Sequence, residues 1–377
     1  MFIKHISFVF ALALFLAACS PAAPTQANPA PATTAAETAP TQAAATGFTV
    51  TDALGRQVRF ESVPQRIALA GKANLLVADA LYLFPQAVER IAVLGKGTQG
   101  TGNFLAVIDP NYEGKSKYDN DVSSEQLAAE KPDAVILKSY LAESLGAPLE
   151  TLGIPVVYVD FETPEQYYRD LATLGQLFQD EGRAQKVAEF YRGRVERITQ
   201  KTSGLKDEEK PRTLLLYYND KDGEVAFNVP PMSWMQTILV ETAGGNPIWK
   251  DANLGKGWTK VTLEQVAAWD ADQIYIISYF RPVNEVVELL KADPQWQSLR
   301  AVQEGKLYGF ASDMISWDQA DSRWIMGLTW LATKLHPDLF SDIDIQAEAQ
   351  TFFTELYGIS QASFSENIRP LFGGDLP

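Results

Sequence analysis

Short apolar runs alternate with amphipathic stretches over residues 66–159. The runs are five or six residues long, which is typical of strands buried on both faces, and the stretches between them place apolar residues at helical spacing. The predicted strands are 66–70, 90–94, 133–137 and 154–159, and the predicted helices are 74–83, 123–129 and 142–152. Strands that alternate with helices predict parallel pairing and therefore an α/β lobe.

Two segments of this lobe break the alternation. Residues 48–64 alternate apolar and polar positions around Gly55, which predicts a short hairpin. Residues 103–120 are rich in Gly, Pro, Asp and Asn and predict a long loop. The preceding G-x-G-x-x-G at 95–100 has no predicted helix after it, so we expect a cleft-lining loop and not a dinucleotide site.

From residue 163 to about 204 the apolar positions keep a helical spacing almost throughout. A helix from 181 to 203 would be about 35 Å long at 1.5 Å per residue, enough to bridge two lobes. An ordinary pair of surface helices is the alternative that periodicity leaves open.

After residue 211 the α/β pattern begins again. The predicted strands are 213–218, 273–277 and 307–310, and the predicted helices are 234–243, 262–268, 283–291, 322–335 and 345–356. The predicted fold is two Rossmann-like α/β lobes joined by one long rigid interlobe helix. The expected boundaries are 47–178 for the N-terminal lobe, 179–204 for the interlobe helix and 205–377 for the C-terminal lobe.

The first residues predict export. Lys4 precedes an apolar run over 6–15 that is too short for an ordinary membrane span, which is typical of a signal peptide. The run ends in Leu16-Ala17-Ala18-Cys19, which resembles a bacterial lipobox and implies a signal peptide at 1–19 with a lipid on Cys19. Residues 20–46 are almost entirely Ala, Pro, Thr and Gln and predict a disordered tether. We therefore expect an extracytoplasmic body anchored to a membrane only through its lipid.

Charge and histidine content exclude several classes of partner. The net charge of −15 argues against nucleic acid and anionic lipid surfaces as partners. His5 and His336 are the chain's two histidines, so a bare transition metal or a haem with axial histidine is not expected. His336 precedes a proline at a predicted helix end and is expected to cap that helix.

No enzyme is predicted. G-x-S-x-G, H-E-x-x-H and phosphate-loop motifs are absent from the sequence. Asp318 and Asp321 could imitate a carboxylate dyad, but we expect them to favour a helix N-terminus through its dipole. A tethered hydrolase is the least favoured alternative, and no cofactor is expected.

Several blocks occur in an order and spacing that resemble one known family. They are Asp52–Arg56, Ser124–Leu127 followed by Lys131–Ile136, Gly244–Ile248, and Trp296 with Gly305–Tyr308. Over residues 48–356 the chain resembles the class III periplasmic binding proteins of ABC importers for ferric siderophores, haem, cobalamin and some oxyanions. The resemblance implies a monomer without covalent chemistry that delivers a small ligand to a permease dimer with its ATPase.

The ligand stays open among several classes. A ferric siderophore is the first choice, cobalamin the second, and molybdate or tungstate the third. A lobe that reports the ligand to a signalling partner shares the fold and is the alternative of another class.

The resemblance also carries functional positions. Glu143 and Glu264 match the acidic residues that each lobe of the family presents to permease arginines, and such rim charges orient a partner. Ligands of open α/β sheets bind beyond the carboxyl ends of the strands. The candidate ligand residues at those ends and at the family's cleft rim are Lys72, Lys138, Tyr140, Tyr218, Asn219, Trp258, Tyr279, Arg281, Asp313, Met314 and Trp317.

Overall fold

The computed structural model describes residues 47–72, 74–97, 100–220 and 223–376. The predicted signal peptide, Cys19 and the predicted tether lie outside these ranges. Within the described part, no helix combines the length and apolarity needed to cross a bilayer.

The N-terminal lobe is built on one parallel sheet in the strand order β5-β4-β3-β6-β7. Its strands are β1 Phe48–Thr51, β2 Gln57–Phe60, β3 Ile67–Leu69, β4 Ile91–Gly95, β5 Ser116–Tyr118, β6 Ala134–Lys138 and β7 Val156–Val159. Its helices are α1 Asn74–Leu81, α2 Ala87–Arg90, α3 Phe104–Ile108, α4 Ser124–Ala129 and α5 Ala147–Thr151. The strands β3, β6 and β7 are buried along their whole length, which explains their uninterrupted apolar sequence. β1 and β2 form the predicted antiparallel hairpin.

Two predictions for this lobe are wrong in part. The segment 103–120, predicted as a loop, contains α3 and β5. The side chain of Asn103 caps α3, and β5 is a polar edge strand that pairing with β4 creates. In place of the predicted helix 142–152, the chain forms a wide helical turn at Ala142–Gly146 and then the short helix α5. Pro148, near the start of α5, has no backbone N–H, so the regular α-helical hydrogen bonds cannot run through the whole segment.

Two helices connect the lobes. They are α6 Pro164–Phe178 and α7 Glu181–Thr202, and Asp180 caps α7 by accepting a hydrogen bond from the backbone N–H of Arg183 at 3.0 Å. On α7, Tyr191 packs 5.2 Å from Trp324 of the C-terminal lobe, and its hydroxyl donates to the carbonyl of Ser322 at 2.5 Å. The long helix is therefore packed against the second lobe rather than free in solvent, and the two-lobed α/β prediction is confirmed.

The C-terminal lobe has a mixed sheet in the order β11-β9-β8-β12-β13, with β10 also paired to β8. Its strands are β8 Arg212–Asn219, β9 Ala226–Val229, β10 Asn246–Pro247, β11 Thr259–Val261, β12 Gln273–Ile277 and β13 Leu307–Gly309. Its helices are α8 Met235–Thr242, α9 Leu263–Trp269, α10 Val283–Ala292, α11 Arg300–Gln303, α12 Trp324–Leu335, α13 Ile345–Tyr357 and α14 Gln361–Ser363. β9, β10 and β11 escaped prediction because they are two to four residues long and carry polar residues. His336 follows α12 as predicted, with its ring Nε2 3.1 Å from the carbonyl oxygen of Gly244.

A buried ion cluster joins the lobes. The guanidinium of Arg323, just before α12, donates to Asp79 of α1 at 2.5 Å and to Asp313 at 2.8 Å, and its Nη1 lies 3.3 Å from Asp321. Arg323, Asp79 and Asp321 are fully buried, and Arg323 also lies 4.2 Å above the ring of Phe104. Asp321 also accepts a hydrogen bond from the backbone N–H of Arg323 at 2.8 Å just before α12, so it contributes to the predicted helix start as well as to the interlobe contact.

The cluster contains more carboxylates than cations, and this excess has a consequence for pH. Burial raises the pKa of Asp79 to about 6 despite the attraction of Arg323, and Asp313 and Asp321 add repulsion. The folded pKa lies above the unfolded value of about 3.9, so the stability that a neutral Asp79 contributes below pH 4 is lost as pH rises through 6.

We expect Asp79→Asn to remove this pH dependence. Between pH 4 and 6 the unaltered protein should lose stability relative to the variant. The difference between their free energies of unfolding should fall by about 1.4 kcal/mol per pH unit. Urea unfolding of both proteins at pH 4.5, 5.5 and 7 measures this difference. A difference that stays constant would mean that Arg323 keeps Asp79 ionised throughout.

Candidate functional site between the two lobes

The carboxyl ends of the two sheets face each other. The loop after β4 reaches the other lobe, where the N–H of Gly100 donates to the carbonyl of Tyr279 at 3.0 Å and that of Thr101 to the carbonyl of Met314 at 2.8 Å. A Cβ on Gly100 would lie 2.4 Å from the Met314 carbonyl oxygen, so a residue without a side chain is needed there. Gly100 thus lies between the two lobes, where the sequence predicted a cleft-lining loop.

On the N-terminal side, Lys72 and Tyr140 are accessible. The Tyr140 ring is 58% exposed, and its hydroxyl donates to the Lys72 carbonyl at 3.0 Å. Lys72 is exposed and makes no ion pair with any described residue. Lys72 follows the end of β3 and Tyr140 follows the end of β6, where a ligand could reach both side chains.

Lys138 does not match its predicted role as a cation for the ligand. It is the last residue of β6, it is buried, and its Nζ donates to the Asp160 carbonyl and, at 2.5 Å, to Glu162 Oε1. Its charge is therefore neutralised inside the N-terminal lobe.

An aromatic cluster lies at the carboxyl end of the C-terminal sheet. The Tyr217 ring is 5.0 Å from Trp258 and 4.8 Å from Tyr279, and Trp234 meets Trp258 edge-on at 5.4 Å. Trp234 and Trp258 are half-buried. The Tyr279 hydroxyl donates to Asp318 Oδ2 at 2.6 Å, and burial raises the pKa of both groups. Asp318 thus holds a cleft tyrosine in place and does not start a helix, which corrects that prediction.

Sequence reasoning missed Tyr217 and Trp234 and chose Tyr218. Adjacent residues of a strand point to opposite faces, so an error of one position exchanges the two tyrosines. Tyr218 packs against Phe227 at 5.9 Å on the other face. Asn219 is half-buried at the end of β8.

Trp317 is corrected as well. Trp317 is fully buried against Phe372, and its indole N–H donates to Asp313 Oδ2 at 3.1 Å. Asp313 is occupied by this bond and by Arg323. Trp317 therefore belongs to the core behind the cleft, whereas Asp313 and Met314 line a cavity at the cleft mouth together with Arg281.

Arg281 and Phe280 lie at the mouth. Phe280 is 62% exposed and is the third aromatic residue that sequence reasoning missed. Arg281 pairs with Asp220 at 2.9 Å and lies 3.6 Å from Glu285, so most of its charge is compensated. A cavity of about 370 Å³ opens here, and the chain's last described segment forms one of its walls at Phe372.

Comparison with known proteins decides the family, because residues 67–314 match the sequence pattern described as periplasmic binding protein. This chain belongs to the periplasmic binding protein family. The binding protein is 23% identical over 336 residues to the molybdate-binding protein MolA of Haemophilus influenzae, covering 82% of this chain and 91% of MolA.

Solved structures share the fold of the binding protein. A periplasmic solute binding protein from Veillonella parvula is similar with a TM-score of 0.69 and 22% identity, covering 86% of this chain and 97% of its own. Molybdate-bound MolA gives a TM-score of 0.64 at 19% identity, covering 83% and 98%. CeuE of Helicobacter pylori, in a complex with Ni and His, gives 0.65 at 15% identity, covering 85% and 99%. MolA and CeuE hold different ligands, so similarity of fold alone assigns no ligand to this chain.

The two glutamates predicted to dock lie on the exposed rim of the binding protein. Glu143 follows the carboxyl end of β6 by five residues. Glu264 lies in the first turn of α9, three residues after Val261 of β11. Val261 pairs with Phe227, and Phe227 pairs with Tyr218 near the carboxyl end of β8. Glu264 therefore lies close to the carboxyl end of the C-terminal sheet. Both side chains are exposed and make no ion pair with a described residue. They therefore project beyond the carboxyl edge of each sheet, one per lobe.

Proposed function

We propose that this binding protein captures a metal chelate, a ferric siderophore in the first place, in the interlobe cleft and delivers it to an ABC permease dimer. In this proposal it acts as a monomer, it is tethered to the membrane through a lipid on Cys19, and its lobes are 47–178 and 205–377. The observation that carries the ligand class is the pair of exposed aromatic side chains, Tyr140 and Phe280, at the strand ends of the two facing lobes.

The chemistry of the cleft supports an organic ligand. Flat aromatic walls suit a large ligand with apolar parts, and Tyr140 and Phe280 offer such surface at the mouth. Lys72 adds a cation that no described side chain neutralises, which favours an anionic chelate. A metal bound in its own chelator needs no protein ligand. Among the described residues no group of three or more His, Cys, Asp or Glu could hold a metal ion.

Molybdate is the second candidate, because the curated relative MolA is described as molybdate-binding. The cavity beside Phe372 carries the hydroxyl groups of Thr101, Ser278 and Ser312, and hydroxyl groups are suitable donors to a small oxyanion. Its other lining residues include Asp313 and Glu285, which weigh against an anion there.

Tryptophan fluorescence of residues 47–377 distinguishes these ligands. We expect saturable quenching by one ferric siderophore of a panel, with one ligand per protein, and none by molybdate. Quenching by molybdate and by no other member of the panel would mean that the ligand is the oxyanion and not a chelate. Silence with siderophores, haem, cobalamin and molybdate would contradict the proposed ligand classes.

Phe280→Ala should weaken binding of the quenching chelate by roughly tenfold, since truncating an aromatic anchor costs more than 1 kcal/mol in many interfaces. Fluorescence titration measures the change in dissociation constant. The control is Leu339→Ala, because Leu339 is also exposed but lies beyond α12. Equal affinity for all three proteins would remove Phe280 from the ligand site.

A further inference from the structure

An uncovered groove runs beside Glu264 on the outer face of the C-terminal lobe. Its floor is aromatic, with Tyr218 5.9 Å from Phe227 and Phe227 4.9 Å from Trp296. Residues 261–263 before and within the first turn of α9 form one wall, and Leu289 and Leu290 of α10 form the other. The groove encloses about 540 Å³, room for one or two large apolar side chains.

The groove leaves large apolar side chains exposed to solvent. Leu289 is 51% exposed and Val225 is 49% exposed, and both line the groove. Leu263 lines it and is the residue before Glu264 in the chain. The groove and the docking glutamate are thus parts of one continuous surface.

The charges at its rim select the partner. Lys260 is paired with Glu224 at 2.7 Å and Lys291 with Glu288 at 3.0 Å. Glu264 and Asp293 have no ion pair with any described residue. The charge left uncompensated at the rim is therefore negative, and a basic partner complements it.

We propose that this groove receives an apolar side chain next to an arginine or lysine on an exposed segment of the permease, while Glu264 binds the basic residue. The inference rests on the proposed function and adds to it an apolar anchor, which supplies binding energy that an exposed ion pair alone does not. It also explains why the two exposed apolar residues lie together instead of singly.

Leu289→Lys tests the groove, because it places a cation where a basic partner must approach and suits the C-terminal half of α10. The matched control is Leu152→Lys. Leu152 is similarly exposed, at 53%, but it lies before the amino end of β7, away from the carboxyl ends of the strands. Cells that depend on the full-length lipoprotein are given the radiolabelled panel member that quenches fluorescence. We expect Leu289→Lys to reduce uptake at least about tenfold and Leu152→Lys to leave it unchanged.

Three further measurements separate the outcomes. Fluorescence titration of Leu289→Lys should give the unaltered affinity, and loss of ligand binding would overturn the inference in favour of a folding defect or a ligand role. Normal uptake by Leu289→Lys together with impaired uptake by Glu264→Ala would overturn the groove and leave the proposed function standing. Sedimentation of the unaltered protein should show a monomer, and a dimer that Leu289→Lys dissociates would make a second copy the occupant.

Discussion

Replacing Arg323 by methionine is expected to lower the free energy of unfolding by about 3–5 kcal/mol, because removing one partner of a buried ion cluster leaves the others uncompensated. Asp79, Asp313 and Asp321 are all at most 3% exposed, and the guanidinium of Arg323 contacts all three carboxylates. Methionine is an unbranched apolar side chain of similar volume, so the loss reports mainly the removal of the guanidinium charge and its hydrogen bonds. Urea denaturation at pH 7 measures it.

The control is Arg59→Met. Arg59 pairs with Glu61 at 3.1 Å, but the two side chains are 57% and 79% exposed. Such surface pairs contribute about 0–1 kcal/mol, so this variant should unfold almost like the unaltered protein. Equal and small losses for both arginines would show that the buried cluster does not stabilise the joined lobes.

The same cluster marks a limit of sequence reasoning. Arg323 and Asp79 are 244 positions apart and lie in different lobes. Neither residue stands in a motif, and a single charge within an apolar helical pattern gives no sign of its distant partner. Only the packing of α1 against the start of α12 brings them together, so pattern and spacing could not predict them.

The sheets, in contrast, were predictable from local pattern. β6 and β12 each contain four consecutive apolar residues and are buried on both faces, and burial of that kind leaves a continuous signal in the sequence. β5 and β11 left no such signal, because they are polar edge strands that exist through pairing with a neighbour. Length and burial therefore separate the elements that were predicted from those that were missed.

The candidate site was predictable to the level of strand ends, but side-chain direction was not. Lys138 ends β6 as expected, yet it turns back onto Glu162 instead of facing the cleft. Trp317 follows β13 as expected, yet it lies in the core. Phe280 was overlooked between two chosen residues, because nothing in the sequence distinguishes an exposed ring from a packed one.

Changing Glu143 and Glu264 together to alanine should reduce ligand uptake at least about tenfold while leaving ligand affinity unchanged. Both carboxylates are exposed beyond the strand ends of their lobes, and neither forms an ion pair with a described residue. Hydrogen bonding at the start of α9 lowers the pKa of Glu264, so its charge persists at mildly acidic pH. Each single variant should lose less than the pair, because one lobe keeps its anchor.

The matched control replaces Glu208 and Glu366, two exposed glutamates that do not follow the carboxyl end of a strand, and should leave uptake intact. Fluorescence titration and uptake of the same chelate are measured on each variant. If the variants also lose affinity for the ligand, the two glutamates belong to the ligand site and not to the docking surface. Undiminished uptake would show that ligand delivery does not need these two rim charges, and the docking role of Glu143 and Glu264 would be wrong.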